Sequence, residues 1–201
     1  MGAAHDQPSI PKSPHPCPPP AGEGANPKPT MIQATPTPLS TAAQTVRITV
    51  NGTCDSHAVL PRTHLIDFLR EDLGLKGSHL GCEHGVCGAC TVQLDGNIVR
   101  GCLVLAVQAD GRRVDTIEGL SESGVIRDLQ AAFIRHNALQ CGFCTSGMLM
   151  AASELLDQKP QASREEVREW ISGNYCRCTG YQAIVDAICE VLAARAQGVV
   201  A

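Results

Sequence analysis

Aromatic side chains are scarce in this chain of 201 residues, in which Phe, Trp and Tyr together make up only 3%. Any hydrophobic core must therefore come from aliphatic side chains and Met, and the length suffices for one or two modest domains. No apolar run approaches the roughly 18 residues of a membrane-spanning helix. Basic runs are missing as well, and the formal net charge is −4, so binding to nucleic acid is not expected.

Proline is concentrated at one end of the chain. Residues 1–44 hold eleven of the thirteen prolines, and they lack the apolar periodicity that a buried core requires. This composition predicts a disordered, Pro-rich N-terminal extension in which Cys17 has no expected role. Met31 is an alternative start, because every interpretable pattern follows it. The extension shows neither a secretory signal pattern nor a twin-arginine pair.

Cysteine, in contrast, is abundant. Eight of the eleven cysteines fall into two compact groups, which favours metal binding over a disulfide scaffold. In the first group the spacing is C-x4-C-x2-C, and a fourth thiol follows after eleven further residues. This spacing is typical of the four thiolates that hold a plant-type 2Fe–2S cluster. The predicted ligands of the first cluster are Cys82, Cys87, Cys90 and Cys102.

Glycines punctuate this first group. Gly81, Gly85 and Gly88 would allow the chain to wrap closely around a cluster and to adopt positive φ angles, so their backbone is predicted to contact the cluster. The alternative is a zinc knuckle, which usually pairs two C-x2-C units about twelve to twenty residues apart. The C-x4-C-x2-C spacing differs from that pattern and favours the iron–sulfur cluster.

The second group lies in the C-terminal half and combines C-x2-C with C-x-C, separated by 31 residues. The C-x2-C thiols would share one side of a helical turn, whereas the C-x-C thiols would diverge on a helix and indicate a loop. Four thiolates serve zinc and a 2Fe–2S cluster alike, so the residues alone leave both open. Cys189 lies beside an apolar helical stripe and is predicted to be a core residue. The predicted ligands are Cys141, Cys144, Cys176 and Cys178.

A small α+β domain is predicted over residues 45–118. Strands are expected where apolar residues alternate, with hairpin turns at 51–52 and 95–97. Thr63 is expected to cap a short helix, and Cys54 is expected to be buried within a strand. The predicted strands cover residues 45–50, 53–59, 91–94, 98–100 and 113–117.

The pattern changes to helical beyond residues 119–124, which are polar and are predicted to form a linker. Residues 125–198 then carry four amphipathic segments, and Ser163 with Glu166 predicts a capping box at the start of the third. Val125 is expected on the buried face of the first segment. Four helices of these lengths predict a compact bundle.

Two stretches of the helical half carry a resemblance to a known family. They are LQCGFCTSGM (139–148) and SGNYCRCTGY (172–181), and both follow the first cysteine group in this order. Together they resemble the iron–sulfur subunit of the molybdenum hydroxylases, the xanthine oxidase family. The resemblance spans about residues 45–195 and implies a second 2Fe–2S cluster at the second group. It also implies an α+β fold, in which a β-grasp ferredoxin-like domain precedes a C-terminal four-helix bundle.

Electron transfer is the function that this resemblance implies. In the family a large subunit holds molybdopterin–molybdenum and a medium subunit holds FAD, so both subunits are implied partners. The chain would carry two 2Fe–2S clusters that relay electrons from the molybdopterin centre to FAD, and no catalytic site is expected on it. By analogy the second cluster lies nearer the pterin, and Cys178 and Gln140 are predicted to contact the pterin.

The substrate and the location are less constrained by the resemblance. Many relatives carry Pro at the position of Ser146, whereas exported aldehyde oxidoreductases carry Ser there, which indicates an aldehyde-oxidising complex. The run CTGY (178–181) is instead typical of the broader family. A stand-alone ferredoxin-type carrier or a cluster-based redox sensor is the alternative, but neither requires the helical half. The chain is expected in the cytoplasm, or in the periplasm if another subunit directs export.

Overall fold

The computed structural model describes residues 42–198 of the chain. Most of the predicted Pro-rich extension, including Cys17 and Met31, lies outside the described residues. Within them, a sheet is formed by the first half and helices make up most of the second. None of the helices in this described part is both long and apolar enough to cross a membrane.

A mixed five-stranded sheet forms the first half. Its strands are β1 (Gln44–Val50), β2 (Thr53–Val59), β3 (Thr91–Leu94), β4 (Asn97–Arg100) and β5 (Arg113–Asp115). Their order is β2-β1-β5-β3-β4, with β1 and β5 parallel and the other neighbours antiparallel. Both predicted hairpins are confirmed, because Asn51, Gly52, Asp95 and Gly96 all take the positive φ angles that a two-residue turn requires.

The buried face of the sheet packs against a short helix. Helix α1 (Leu65–Asp67) continues as a π-helical turn (Phe68–Asp72), and its apolar side chains join those of the strands in one core. Thr63 does not cap this helix, contrary to the prediction, because His64 occupies the N-cap position without a side-chain hydrogen bond. The main chain fixes the helix start instead, since the Leu65 N–H donates to the Val104 carbonyl at 2.7 Å.

Two further strand predictions differ from the structure. Cys54 is exposed rather than buried, because β2 is an edge strand and most of its residues face solvent. The last strand stops at Asp115 instead of continuing to Ile117, because Ile117 begins the next helix.

Five helices follow, one more than predicted. They are α2 (Ile117–Glu122), α3 (Arg127–Arg135), α4 (Thr145–Gln158), α5 (Arg164–Ile171) and α6 (Gln182–Ala196). Much of the predicted linker 119–124 is therefore helical, because Leu120 and Ile117 lie one turn apart and both pack into the helical core. Val125 is 54% exposed, and its neighbour Ile126 is buried in its place.

The helical half has an apolar core of its own. Phe133 of α3, Met148 and Leu155 of α4 and Ile188 of α6 are fully buried within it. The predicted capping box is confirmed, because the Ser163 side chain accepts from the Glu166 N–H while the Glu166 carboxylate accepts from the Ser163 N–H.

Polar contacts connect this half to the sheet. The Glu154 carboxylate of α4 is buried and accepts a hydrogen bond from the Ile98 N–H of β4 at 2.8 Å. At the other end of the sheet, the Asn51 side chain accepts from the Thr116 N–H at 2.8 Å. These contacts join the helical half to the sheet at two separate points.

Candidate iron–sulfur centres

The first cysteine group is assembled by a loop and a hairpin. Cys82 and Cys87 lie on the loop that precedes β3, and Cys90 stands at its end. Cys102 follows β4, and the hairpin returns it to Cys90, since the Gly101 N–H donates to the Cys90 carbonyl at 3.0 Å. Cys90 and Cys102 are buried, whereas Cys82 and Cys87 are half-buried.

The thiols of this group interact in two pairs. In the first pair, the Cys87 N–H donates to the Cys82 sulfur at 3.3 Å, and this hydrogen bond lowers the pKa of Cys82 to about 6. In the second pair, Cys90 lies against Cys102, and burial raises the pKa of Cys90 to about 11. The buried thiol therefore needs the positive charge of a bound metal to lose its proton, whereas Cys82 does not.

The three glycines of the loop are placed close to these thiols. Gly85 and Gly88 take positive φ angles of +83° and +75°, which only glycine adopts readily. Gly81 does not, but a Cβ atom there would lie 3.1 Å from the Cys87 sulfur. Backbone conformation therefore favours glycine at positions 85 and 88, and at position 81 a side chain would crowd a thiol.

The second group lies where two long helices begin. Cys144 is the N-cap residue of α4, and the segment carrying Cys176 and Cys178 leads into α6. These thiols also pair. The Cys178 and Cys141 sulfurs are 3.6 Å apart, and the Cys144 thiol interacts with that of Cys176, while burial raises the pKa of Cys144 to about 12.

Two neighbouring side chains contact this second group. The Thr179 hydroxyl donates to the Cys176 sulfur at 3.2 Å. Burial raises the pKa of Cys176, but hydrogen bonds from Thr179 outweigh it, so the pKa lies below its usual value. Gln140 is exposed, and its Nε2 donates to the Cys178 carbonyl at 3.1 Å. Cys189 packs against the helical core.

The donor arrangement can be compared with what each metal requires. Across residues 42–198, no three Cys, His, Asp or Glu side chains converge as a single ion would require. Zinc in a structural site takes four ligands around one ion. A 2Fe–2S cluster instead distributes four thiolates over two irons. The thiols of each group lie in two pairs, which matches a cluster in which each of the two irons takes two thiolates.

Sequence reasoning missed the residues that lie between the two groups. Asn174 is buried and hydrogen-bonds to Gly88 and Thr91 of the first half. The Phe143 ring, between two cysteines of the second group, stacks on His79 with ring centroids 4.6 Å apart. The only signal for Asn174 is a polar residue two positions before Cys176, and nothing in the sequence indicates its partners.

Two protein-family models match the chain, one over each cysteine group. A 2Fe–2S iron–sulfur cluster binding domain matches residues 75–133, which contain the first group. A [2Fe-2S] binding domain matches residues 116–189, which contain the second group. Both descriptions are of 2Fe–2S binding domains, so the matches support two such clusters on this chain.

Known proteins match the same part of the chain. The small subunit of nicotine 6-hydroxylase from Paenarthrobacter nicotinovorans is 54% identical over 154 residues, which are 77% of this chain and 93% of that subunit. The chain belongs to the iron–sulfur subunits of the xanthine oxidase family. The resemblance found in the sequence is thereby confirmed. As one of these subunits, it is an electron-transfer component of a multisubunit oxidoreductase and carries two 2Fe–2S clusters.

Further comparisons agree with this membership of the iron–sulfur subunits. Caffeine dehydrogenase subunit gamma from Pseudomonas sp. (strain CBB1) is 50% identical over 153 residues, 75% of this chain and 92% of that subunit. Quinoline 2-oxidoreductase from Pseudomonas putida 86 contains a chain that matches 79% of this one over 99% of its own length, with 51% identity and a TM-score of 0.73. The fold is therefore a ferredoxin-like 2Fe–2S domain with a mixed sheet, followed by helices.

Proposed function

We propose that this iron–sulfur subunit relays electrons between a molybdopterin-binding large subunit and an FAD-binding medium subunit, through eight specific cysteines. The pairing of thiols within each group carries the assignment of these ligands. The first cluster would be held by Cys82, Cys87, Cys90 and Cys102, and the second by Cys141, Cys144, Cys176 and Cys178.

The chain's own residues prepare both sites for a cluster. A 2Fe–2S cluster accepts and releases single electrons, at a potential set by hydrogen bonds to its sulfurs and by solvent exposure. In the first group, buried Cys90 and Cys102 exclude water from one side. In the second, the Thr179 hydroxyl donates to a ligand sulfur and stabilises added negative charge.

The surface around each group suggests where the partner subunits bind. Cys141 is exposed and Gln140 beside it bonds to the backbone of Cys178, so we propose that Gln140 and Cys178 face the pterin. Near the first group, Val86 and Leu103 are 44% and 61% exposed. Large exposed apolar side chains at a cluster are typical of a docking surface, and we assign this one to the FAD-binding subunit.

The proposal also covers the division of the chain into two domains and its location in the cell. The sheet with α1 would form a β-grasp domain over residues 45–118, and α3 to α6 would form a four-helix bundle within residues 125–198. A cytoplasmic location is part of the same proposal.

The identities favour a nitrogen heterocycle as the substrate of the complex. The relatives at 54% and 50% identity are named for nicotine and caffeine, and the structural match for quinoline, all of which are nitrogen heterocycles. Ser146, which indicated an aldehyde, is buried in α4. The substrate site would lie on the large subunit, so aldehyde turnover by the purified complex is the outcome that would contradict this assignment.

Electron paramagnetic resonance of the dithionite-reduced full chain, with iron quantified, tests the proposal. We expect two distinct 2Fe–2S signals and about four irons per chain. A single signal, with zinc in the second group, would contradict the two-cluster assignment. Co-expression with neighbouring subunits separates this function from that of a stand-alone carrier, because only a relay subunit would co-purify with molybdopterin- and FAD-containing chains.

A further inference from the structure

A main-chain hydrogen bond joins the two cysteine groups directly. The Tyr175 N–H donates to the Cys87 carbonyl at 2.8 Å. Cys87 belongs to the first ligand set, and Tyr175 precedes Cys176 of the second. This hydrogen bond is the most direct of the contacts between the two ligand sets, because it lies on Cys87 itself and one residue from Cys176.

Asn174 lies next to this hydrogen bond and crosses between the two halves. It is only 2% exposed, and its own N–H donates to the Ile171 carbonyl at the end of α5. Its side-chain Nδ2 donates to the Gly88 carbonyl at 3.0 Å and lies 3.3 Å from the Thr91 hydroxyl. The Asn174 side chain thus binds the residue that immediately follows Cys87.

Arg100 fixes the other end of the Asn174 side chain. Its Nη2 donates to the Gly173 carbonyl at 2.7 Å and to the Asn174 Oδ1 at 3.3 Å. Its Nη1 donates to the Thr91 hydroxyl. The amide of Asn174 is therefore held as both donor and acceptor, which leaves it a single orientation.

Glycines bring the main chains of the two halves together at this point. A Cβ atom on Gly88 would lie 2.6 Å from the Gly173 carbonyl oxygen, and one on Gly147 would lie 2.3 Å from the Gly88 carbonyl oxygen. At these contacts the two backbones meet without an intervening side chain that could absorb a shift. Any movement at Asn174 must therefore move the ligand-bearing loops themselves.

We propose that Asn174 is a positioning residue that sets the separation of the two iron–sulfur clusters, by holding the hydrogen bond between Tyr175 and Cys87. This inference rests on the proposed function, since it takes the eight cysteines as ligands. Electron exchange across the contact needs no proton and breaks no bond, because one site loses the single electron that the other gains. The rate of this electron exchange depends on the distance between the clusters, so a fixed distance matters for the relay.

Magnetic interaction between the two reduced clusters measures this spacing. The test uses Asn174→Ala in the full chain with both clusters loaded, and compares paramagnetic resonance spectra of the half-reduced and fully reduced protein. We expect the fully reduced wild type to show a splitting that the half-reduced protein lacks. Asn174→Ala should keep two signals and the wild-type iron content but lose that splitting. Asn97→Ala, an exposed asparagine at the start of β4, is the matched control and should retain the splitting.

A second variant keeps the test decisive if Asn174→Ala folds poorly. Arg100→Lys preserves the charge but loses the planar fork that holds Asn174 and Gly173, so the splitting should decrease there too. Unchanged splitting in both variants would overturn the inference. Loss of one cluster signal in both would also overturn it, because the contact would then build one site rather than space two. Fewer than two signals in the wild type would instead refute the proposed function.

Discussion

Arg195, in the last turn of α6, holds Asp128 in the first turn of α3 through two hydrogen bonds. Its Nε lies 2.7 Å from Oδ2 and its Nη2 3.0 Å from Oδ1. The Asp128 side chain is only 15% exposed. Burial raises the pKa of Asp128, but hydrogen bonds from Arg195 and the Leu129 N–H outweigh it, so the pKa lies below its usual value.

Replacing Asp128 should make stability depend less on pH. We expect Asp128→Asn to lower the free energy of unfolding by about 1–2 kcal/mol near neutral pH, because a charge-assisted pair is lost next to a partly screened arginine. Since the folded pKa is depressed, the wild-type advantage is complete above the ordinary pKa of about 3.9. It disappears as the pH falls through the folded pKa.

Denaturant unfolding of both proteins across this pH range measures the difference. Asp55→Asn is the control, because Asp55 is exposed on the edge strand β2 and its replacement should leave stability nearly unchanged. A difference between wild type and Asp128→Asn that stays constant down to the most acidic pH would show that the carboxylate charge is not the cause.

Removing one ligand of the first group should leave the second cluster in place. We expect Cys87→Ser to lose the first signal and about two of four irons, because each group supplies four thiolates of its own. Cys189→Ser should keep all the iron, since Cys189 packs against the helical core and belongs to neither proposed ligand set. Iron assay and paramagnetic resonance measure both. Simultaneous loss of the two signals in Cys87→Ser would mean that the groups do not assemble separately.

Gly88→Ala should lower the free energy of unfolding more than Gly96→Ala, although both glycines have a similar backbone conformation. At Gly96, with φ +83°, a Cβ atom would have nothing within 4 Å, whereas at Gly88, with φ +75°, it would meet Gly173 and Asn174. We expect Gly96→Ala to cost about 1 kcal/mol from backbone strain alone. Gly88→Ala should cost a further 1–3 kcal/mol or so from overpacking, measured by denaturant unfolding. Equal costs would contradict the close approach.

The Thr179 hydroxyl should raise the reduction potential of the second cluster. Removing its hydrogen bond to the Cys176 sulfur in Thr179→Val should lower that potential by about 20–65 mV, which corresponds to a hydrogen bond of about 0.5–1.5 kcal/mol for one electron. Thr179→Ser retains the hydroxyl, so its reduction potential should lie close to that of the wild type. Redox titration followed by paramagnetic resonance measures both variants, and the first cluster provides an internal reference.

The local parts of this structure could be predicted from the sequence. Cysteine spacing is a local property, so both cysteine groups were apparent, as were the hairpin turns and the capping box at Ser163. Val125 was misplaced because the helix begins only at Arg127, so Val125 and Ile126 lie in the turn before it and do not follow the helical pattern. The true core residue is Ile126.

Features that depend on distant residues could not be predicted. Cys54 is exposed because β2 lies at the edge of the sheet, and strand order is not a local property. Asn174 gains its role from Gly88 and Thr91, which lie more than eighty residues earlier in the chain. Composition and periodicity cannot predict contacts between residues so far apart in the sequence.

The close approach of Gly147 to Gly88 limits how the chain can be recombined with its relatives. A Cβ atom on Gly147 would meet the Gly88 carbonyl oxygen at 2.3 Å, so the two halves fit as backbone against backbone. Chimeras that exchange the sheet half or the helical half between homologous subunits will assemble only if both donors carry glycine at these two positions. A side chain at either of these two positions would push the sheet half and the helical half apart.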